Sequence, residues 1–574
     1  MKQLLKQLKN YKKEAILAPL FKLLEASLEL LVPLLVAAII DRGVAAADRG
    51  YIVRMGLVMI GLGLAGLCAS VTAQYFAARA AVCSTSRLRR ELFAHLQSLS
   101  YSQLDTIGVP TMLTRLTSDM NQVQSGVNLT LRLLLRSPFV VFGAMIMAFT
   151  IDTRAALVFA CVIPVLAVVV VAVMLLTIPL YRRVQERLDR VLSQTRENLT
   201  GVRVLRAFGK EDSEKERFDG RTQELMRGQN HVGRISALLN PATMVVVNLG
   251  IAALIRTGAI RVQSGELSQG DVIALYNYMS QILIELIKLA NLILNITKSV
   301  ACANRIEAVM ELPAGDRGPE QMPELPENAP AVRFTDVSLR YAGASGDALS
   351  GVTFTAQQGQ TIGVIGGTGS GKTSLVNLIP RFYDAAQGHV EVFGADVRSW
   401  PVEALRRRIG VVLQKALLFQ GTILENLLWG DPEAQLDAVG DALEAAQAME
   451  IVEGKEGGLD SEVEQNGRNF SGGQRQRLTI ARALVRKPQI LILDDSASAL
   501  DFATDAALRK ALRNLPEKPT VFIVSQRTSS IRHADCILVL DDGRVVGQGT
   551  HEELLQSCPV YREIHESQYR KEEA

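Results

Sequence analysis

The stretch Thr361-Ile-Gly-Val-Ile-Gly-Gly-Thr-Gly-Ser-Gly-Lys-Thr373 predicts a buried strand, a glycine-rich loop and the first turn of a helix. Glycines allow the backbone N–H groups of residues 366–371 to curl around phosphate groups, and Lys372 can reach the outer phosphates. Thr373 stands where a hydroxyl can hold magnesium. We therefore expect an α/β domain whose loop binds a nucleotide with Mg²⁺. The predicted loop residues are Gly366, Gly367, Thr368, Gly369, Ser370, Gly371, Lys372 and Thr373.

A second apolar run, Ile490-Leu-Ile-Leu493, predicts another buried strand of the same domain. It delivers Asp494, which we expect to bind the metal together with Thr373. Asp495 follows directly, and a carboxylate at this point suits the activation of a water molecule in an ATPase. Between the two strands, Ser471 and two glycines precede a helix and can again present N–H groups to an anion.

The first 310 of the 574 residues are dominated by long apolar runs, whereas the remainder has the composition of a soluble α/β protein. Each predicted span is long enough for one bilayer crossing. Arginine is concentrated in the connections after the second and fourth spans, so both termini are predicted to be cytosolic. The six predicted spans are 15–40, 52–82, 133–152, 155–180, 235–260 and 270–302.

Polar side chains recur at helical spacing in the first and sixth predicted spans. One interpretation is a polar wall of a substrate cavity, and the other is pairing between helices or a position beyond the membrane. Both interpretations remain open from the sequence. The cavity candidates are Glu25, Glu29, Gln281, Glu285 and Lys288.

The predicted architecture is an α-helical six-span transmembrane domain (1–310), a linker (311–330) and a P-loop α/β nucleotide-binding domain (331–574). The linker is rich in proline and acidic residues, so it cannot continue a helix. The net charge of +3 and the absence of a basic stripe argue against nucleic acid as a partner. Six spans also argue against a soluble P-loop ATPase of DNA repair or translation.

In its order of motifs the chain resembles an ATP-binding-cassette (ABC) exporter half-transporter over essentially its full length. The resemblance implies two nucleotide-binding domains that close head to tail over two ATP molecules. Each ATP then lies between the Walker motifs of one chain and the signature of the other. The segments around 104–113 and 208–213 occupy the positions of the cytosolic coupling helices. The resemblance assigns Tyr341 to adenine stacking, Gly366 to Thr373 to Walker A, Gln414 to the Q-loop and to magnesium, Phe470, Ser471, Gly472, Gly473 and Gln474 to the signature, Asp494 to Walker B and Asp501 to the D-loop.

Two positions that act in hydrolysis depart from that family's pattern, and a third, softer change places Gln465 where the family has a glutamate before the signature. The family usually carries glutamate after the Walker B aspartate, where it positions or deprotonates water, and this chain has Asp495. The family usually carries histidine in the switch loop after the next strand, and this chain has Gln526, which cannot be cationic or shuttle a proton. The nearby His533 is expected to belong to a surface helix instead.

The two altered residues act on the ATP that this chain's own Walker A holds, whereas its signature acts on the partner's ATP. The resemblance therefore predicts a heterodimer in the cytoplasmic membrane, in which this chain supplies a degenerate, slowly hydrolysing site and a second half-transporter supplies the competent one. The predicted cargo is an amphiphilic small molecule of the multidrug type. Alternatives are a lipid or peptide exporter, a homodimer with two slow sites, and a regulatory subunit in which ATP binding matters more than hydrolysis.

Overall fold

Long helices dominate residues 2–310 of the computed structural model, which describes residues 2–569. Two π-helical turns, Ile39–Val44 and Arg115–Asp119, interrupt the series. Asp152 ends one long helix and caps the next, because its carboxylate accepts a hydrogen bond from the Ala155 N–H at 2.7 Å. The helices are α1 Lys2–Leu8, α2 Lys12–Ala38, α3 Arg49–Ser98, α4 Tyr101–Ile107, α5 Val109–Thr114, α6 Met120–Leu133, α7 Arg136–Ile151, α8 Thr153–Thr200, α9 Val202–Ala207, α10 Glu211–Ala237, α11 Leu239–Gln263 and α12 Gln269–Met310.

Six helical stretches in the described part of the chain are long and apolar enough to cross a membrane. Five of them contain a predicted span whole, and Val109–Ile151 contains all of the third span except its last residue, which confirms the six predicted spans. The stretches extend well beyond the apolar runs, so their ends reach past a bilayer core of about 30 Å. They are Lys6–Val44, Arg49–Ser98, Val109–Ile151, Thr153–Thr200, Glu211–Gln263 and Gln269–Met310.

In the part of the second half that the structure describes, the chain forms three sheets, as alternating strand and helix patterns predict. A six-stranded sheet has the order β12-β11-β3-β10-β9-β6 and a four-stranded antiparallel sheet has the order β2-β1-β4-β5. The third is a short pair, β7-β8. The strands are β1 Val332–Leu339, β2 Leu349–Ala356, β3 Thr361–Gly366, β4 Gln387–Val392, β5 Ala395–Asp396, β6 Ile409–Val412, β7 Gly421–Thr422, β8 Glu462–Val463, β9 Ile490–Asp494, β10 Thr520–Val524, β11 Cys536–Asp541 and β12 Arg544–Gly549.

Strands β11, β3, β10, β9 and β6 pair in parallel, so their carboxyl ends meet at one edge of the six-stranded sheet. Every residue of β9 and β10 is buried, as expected for parallel strands that are covered on both faces. This sheet edge positions the nucleotide motifs. The helices of this half are α13 Lys372–Leu378, α14 Val402–Arg407, α15 Ile423–Leu428, α16 Leu436–Ala445, α17 Met449–Glu453, α18 Gly472–Val485, α19 Phe502–Arg513, α20 Thr528–Ile531, α21 His551–Ser557 and α22 Pro559–Tyr569.

Residues 98–109 belong to the same compact unit as residues 314–574, although they lie between two membrane-spanning stretches in sequence. The ring of Tyr101 stacks on Phe382 with centroids 4.6 Å apart, and the Tyr383 hydroxyl donates to the Asp105 carboxylate at 2.6 Å. The first part of the predicted coupling segment, including Asp105, thus packs within this unit, whereas residues 110–113 belong to the other unit. The corresponding role of the segment around 208–213 stays a prediction.

Candidate functional site

The glycine-rich loop follows β3 and its backbone conformation requires glycine at two positions. A Cβ atom on Gly366 would lie 2.1 Å from the carbonyl oxygen of Leu540 on the neighbouring strand, which leaves no space for a side chain. Gly371 has φ of +96°, in the left-handed region that other residues adopt only with strain. The turn therefore depends on glycine both for close strand packing and for its backbone direction.

Lys372 begins α13 and bends back over the glycine-rich loop. Its ammonium group donates to the carbonyl oxygens of Gly366 at 2.9 Å and Gly367 at 2.6 Å. Burial lowers the pKa of Lys372, and the nearby charges of Asp495 and Asp494 act in the opposite direction. The cation thus lies where phosphates bound by the loop would meet it.

Thr373 and Asp494 form the part of the site suited to magnesium. The Thr373 hydroxyl lies 3.1 Å and 3.0 Å from the two carboxylate oxygens of Asp494. Burial, with a smaller contribution from the charge of Asp495, raises the pKa of the Asp494 carboxyl, so a cation here would offset an unfavourable buried charge. These oxygen donors fit Mg²⁺, which polarises phosphate groups when bound, and Thr373, Asp494 and Gln414 would hold it.

The two residues that depart from the family pattern lie at the ends of neighbouring strands. Asp495 follows β9, has φ of +47°, and its carboxylate accepts a long hydrogen bond of 3.4 Å from the Gln414 side chain. Aspartate tolerates the left-handed region better than most residues. Gln526 follows β10 and has an exposed side chain. His533 lies in the turn after α20 and not in a helix, which corrects the expectation for that residue.

The structure brings most of the predicted Walker-side residues together around one cavity of about 340 Å³. Gly366, Gly367 and Ser370 complete the loop but do not line this cavity, and Ser370 is buried with no hydrogen-bond partner for its hydroxyl in the described residues. The lining residues are Tyr341, Ala348, Thr368, Gly369, Gly371, Lys372, Thr373, Ser374, Gln414, Asp494, Asp495, Val524, Ser525 and Gln526.

Tyr341 stands at one side of the same cavity, as its predicted contact with adenine requires. Its hydroxyl donates to the Ser374 hydroxyl at 2.9 Å, and its ring meets Tyr383 edge-on with centroids 5.0 Å apart. Both contacts hold the ring in place beside the helix that follows the glycine-rich loop. An aromatic face fixed in this way can stack on a base.

The signature residues begin α18 and do not line the cavity. Ser471 caps this helix by accepting from the Gln474 N–H at 3.2 Å, and the Gln474 side chain accepts from the Ser471 N–H at 2.9 Å. Phe470 is buried, whereas Gly472 has open space around its Cα. Asp501 caps α19 through the Thr504 N–H at 2.9 Å. The signature's separation from the Walker residues is what a composite site between two chains requires.

Removing the Thr373 hydroxyl tests the predicted metal site. Thr373→Val keeps the side-chain shape, so we expect nucleotide to bind still but about tenfold more Mg²⁺ to be needed for half-maximal ATP hydrolysis, since one metal ligand is lost. Titration of ATPase activity with Mg²⁺ at fixed ATP measures this shift. Thr355→Val, at an exposed position on β2 outside the cavity, is the matched control. An unchanged Mg²⁺ requirement in Thr373→Val would exclude the hydroxyl from the metal site.

In the membrane half, three of the cavity candidates belong to one hydrogen-bonded network around Arg136. Its guanidinium donates to Glu285 at 2.5 Å and to Glu29 at 2.6 Å, and Lys288 donates to Glu285 at 2.8 Å. Arg136 is 6% exposed and Glu285 is 3% exposed. Ser137 also donates to Glu285, at 3.0 Å. The interhelical pairing that the sequence left as one of two interpretations is therefore observed here across α2, α7 and α12.

The other two candidates do not join this network directly. Glu25 pairs with Lys22 one turn earlier on α2, and Lys22 also donates to Ser70 at 3.0 Å. The side-chain oxygen of Gln281 is buried without a hydrogen-bond partner in the described residues. Sequence reasoning missed Arg136 itself. The sequence feature that could have indicated it is an arginine near the start of an apolar run. Two acidic residues on other helices neutralise the charge of this arginine.

The chain matches the family described as "ABC transporter transmembrane region" over residues 15–286 and "ABC transporter" over residues 349–498. It is similar to the uncharacterized ABC transporter ATP-binding protein YfiB of Bacillus subtilis (strain 168), with 36% identity over 572 residues covering 100% of this chain and 99% of that protein. It is also similar to the ATP-dependent lipid A-core flippase of Chromobacterium violaceum, with 30% identity over 579 residues covering 100% of this chain and 98% of the flippase.

Among solved structures, the fold is similar to that of a bacterial Atm1-family ABC exporter with ATP bound. The TM-score is 0.82 at 23% identity, and the match covers 98% of this chain and 99% of the other. Family, fold and motif geometry agree across both halves of the chain. The chain therefore belongs to the ABC transporter family, as an exporter-type half-transporter that couples ATP hydrolysis to transport.

Proposed function

We propose that this chain exports amphiphilic molecules as the degenerate half of a heterodimer. The observation that carries the proposal is the position of Asp495 and Gln526, since both line the cavity that Lys372 and Asp494 also line. The two substitutions thus affect one nucleotide site. The signature of the same chain, Phe470 to Gln474, matches the family's signature and in this proposal serves the partner's site.

The length of the Asp495 side chain explains why ATP hydrolysis at this site would be slow. Aspartate is one methylene shorter than glutamate, so its carboxylate is withdrawn by about 1.5 Å, a displacement that can cost about 100-fold in rate. Gln526 can still donate a hydrogen bond to a γ-phosphate, but it cannot carry a positive charge or transfer a proton. Lys372, Thr373 and Asp494 are all in place to bind Mg–ATP. A site that binds ATP and hydrolyses it slowly follows from this combination.

The cargo is proposed from the membrane half and from the relatives. One similar protein is a lipid A-core flippase, and lipids are amphiphiles. In this chain, α2 and α12 carry charged groups that remain partly exposed. The side chain of Glu29 is 41% exposed and that of Lys288 is 45% exposed, so both charges remain available to a polar head group. A lipid, a drug-like amphiphile or a peptide would each fit this description. We place the protein in the cytoplasmic membrane with both termini cytosolic, because arginine is concentrated in the predicted cytosolic connections.

Purification of the full chain by itself tests the heterodimer. We expect tight Mg–ATP binding with slow hydrolysis, because the chain alone can form only sites with Asp495 and Gln526. Equilibrium binding and phosphate release measure the two quantities. Brisk ATP hydrolysis that substrates stimulate further would refute the degenerate site and favour a homodimeric exporter.

Co-expression with a second half-transporter that carries glutamate and histidine at the corresponding positions separates an export engine from a regulatory subunit. Transport in vesicles should then appear, and it should stop when the partner's catalytic glutamate is replaced by glutamine. Transport that persists without the partner's glutamate would favour a role in which ATP binding alone gates the protein.

A further inference from the structure

The C-terminal helix α22 holds the loop that carries Gln526, which we call the switch loop (residues 525–528). A single side chain, Gln568, makes three hydrogen bonds to it. Its amide nitrogen donates to the Gln526 carbonyl oxygen at 2.7 Å, and its amide oxygen accepts from the Thr528 N–H at 2.9 Å and the Thr528 hydroxyl at 3.0 Å. Both ends of the Gln568 amide are thus used on the same short segment.

The switch loop is also tied to the sheet on its other side. The Ser525 N–H donates to the Val364 carbonyl oxygen on β3 at 3.0 Å, and the Ser525 hydroxyl accepts from the Arg527 N–H at 2.9 Å. Ser525 is 1% exposed, whereas the Gln526 side chain is exposed at the cavity. Among residues 2–569 the Gln526 side chain has no hydrogen-bond partner of its own. Its position is therefore set by the backbone that Ser525 and Gln568 fix.

Helix α22, which carries Gln568, is anchored through its first turn. Tyr561, on the first turn of this helix, is fully buried, and its hydroxyl lies 2.8 Å from Nδ1 of His551 on α21. The Arg562 guanidinium donates to the Leu555 carbonyl oxygen at 2.8 Å. Buried aromatic packing and these bonds connect the helix to the core of the nucleotide-binding domain.

We propose that Gln568 is a positioning residue for the nucleotide site, through which α22 fixes the distance between Gln526 and the terminal phosphate of ATP. The inference rests on the proposed placement of Gln526 at the γ-phosphate. Because Gln526 has only a neutral amide to offer, its contact depends strongly on distance and angle. Because the switch loop is fixed from both sides, the neutral amide of Gln526 can distinguish ATP from ADP without hydrolysis of the ATP.

The test compares a nucleotide with a third phosphate and one without it, using the full-length purified chain. Gln568→Met has a similar shape but makes none of the three hydrogen bonds. We expect it to weaken binding of Mg–AMP-PNP, a non-hydrolysable ATP analogue, about tenfold and to change binding of Mg–ADP by less than about twofold. Calorimetric titration measures both. Gln568→Glu retains the acceptor for Thr528 but not the donor for Gln526, so its effect should be intermediate.

Glu566→Gln, at an exposed position on the same helix, is the matched control and should leave both affinities unchanged. Gln526→Ala should lower the AMP-PNP affinity by itself, and adding Gln568→Met should then have no further effect, because the two act through one contact. Equal weakening of both nucleotides, additive losses, or no change in Gln568→Met would each overturn the proposal. Brisk hydrolysis by the chain alone would refute the heterodimer instead and leave this affinity ratio untouched.

Discussion

Restoring the family's residues with Asp495→Glu and Gln526→His together is expected to raise ATP turnover at this chain's own Walker site by about 100-fold or more. A correctly placed general base contributes about 10²–10⁴-fold to catalysis, and the added methylene returns the carboxylate toward the attacking water. Glutamate has to adopt the φ of +47° that aspartate tolerates better, and this strain opposes part of the gain, but the N–H of residue 495 still donates to the Val524 carbonyl oxygen, at 3.0 Å in the parent. Phosphate release from the purified chain measures the gain.

The single variants and one inactive variant are the controls for that gain. Asp495→Glu alone should recover part of the rate, and Gln526→His alone less, because histidine can only act on a water molecule that a carboxylate has positioned. Adding Lys372→Met to the double variant should remove the recovered activity, since the phosphates lose their cation. If the double variant stayed as slow as the parent, another element of the site would have to be defective.

The nucleotide site could be predicted from the sequence because each of its parts is a short continuous motif. Gly366 and Asp494 end strands that pair with β10 on either side, so topology alone delivers them to one sheet edge. Asp495 and Gln526 were recognisable as departures for the same reason. Tyr341 was found through resemblance, and the structure adds the hydrogen bond to Ser374 that holds it.

The sequence did not reveal interactions between remote segments. Gln568 lies 40 residues from Thr528, and nothing in the spacing of α22 indicates which loop it contacts. Arg136 is separated from Glu285 by 149 residues, and a lone arginine in an apolar run shows neither its partners nor its depth. Such contacts depend on how helices pack. Periodicity in the sequence indicates which face of a helix is buried, but it does not indicate which other helix lies against that face.

Arg136 carries the second large expected effect, because it is the only cation within hydrogen-bond distance of Glu29 among the described residues and the most buried cation near Glu285. Removing one member of a buried ion pair leaves an uncompensated charge, at a cost of about 3–5 kcal/mol. Glu285 retains Lys288 and Ser137 as partners, but Lys288 is half-exposed and can move away. We therefore expect the free energy of unfolding of the membrane half to fall sharply in Arg136→Met.

Thermal and denaturant unfolding of Arg136→Met in detergent measures this loss, and two further variants show its origin. Arg136→Met combined with Glu285→Gln should recover much of the stability, because a neutral amide needs no counter-charge. Lys215→Met removes a solvent-exposed partner of Asp212 on α10 and should cause no measurable change. If Arg136→Met unfolded like the parent, the ion pairs around Arg136 would contribute little to stability. The buried charges would then have to serve the binding of the transported molecule.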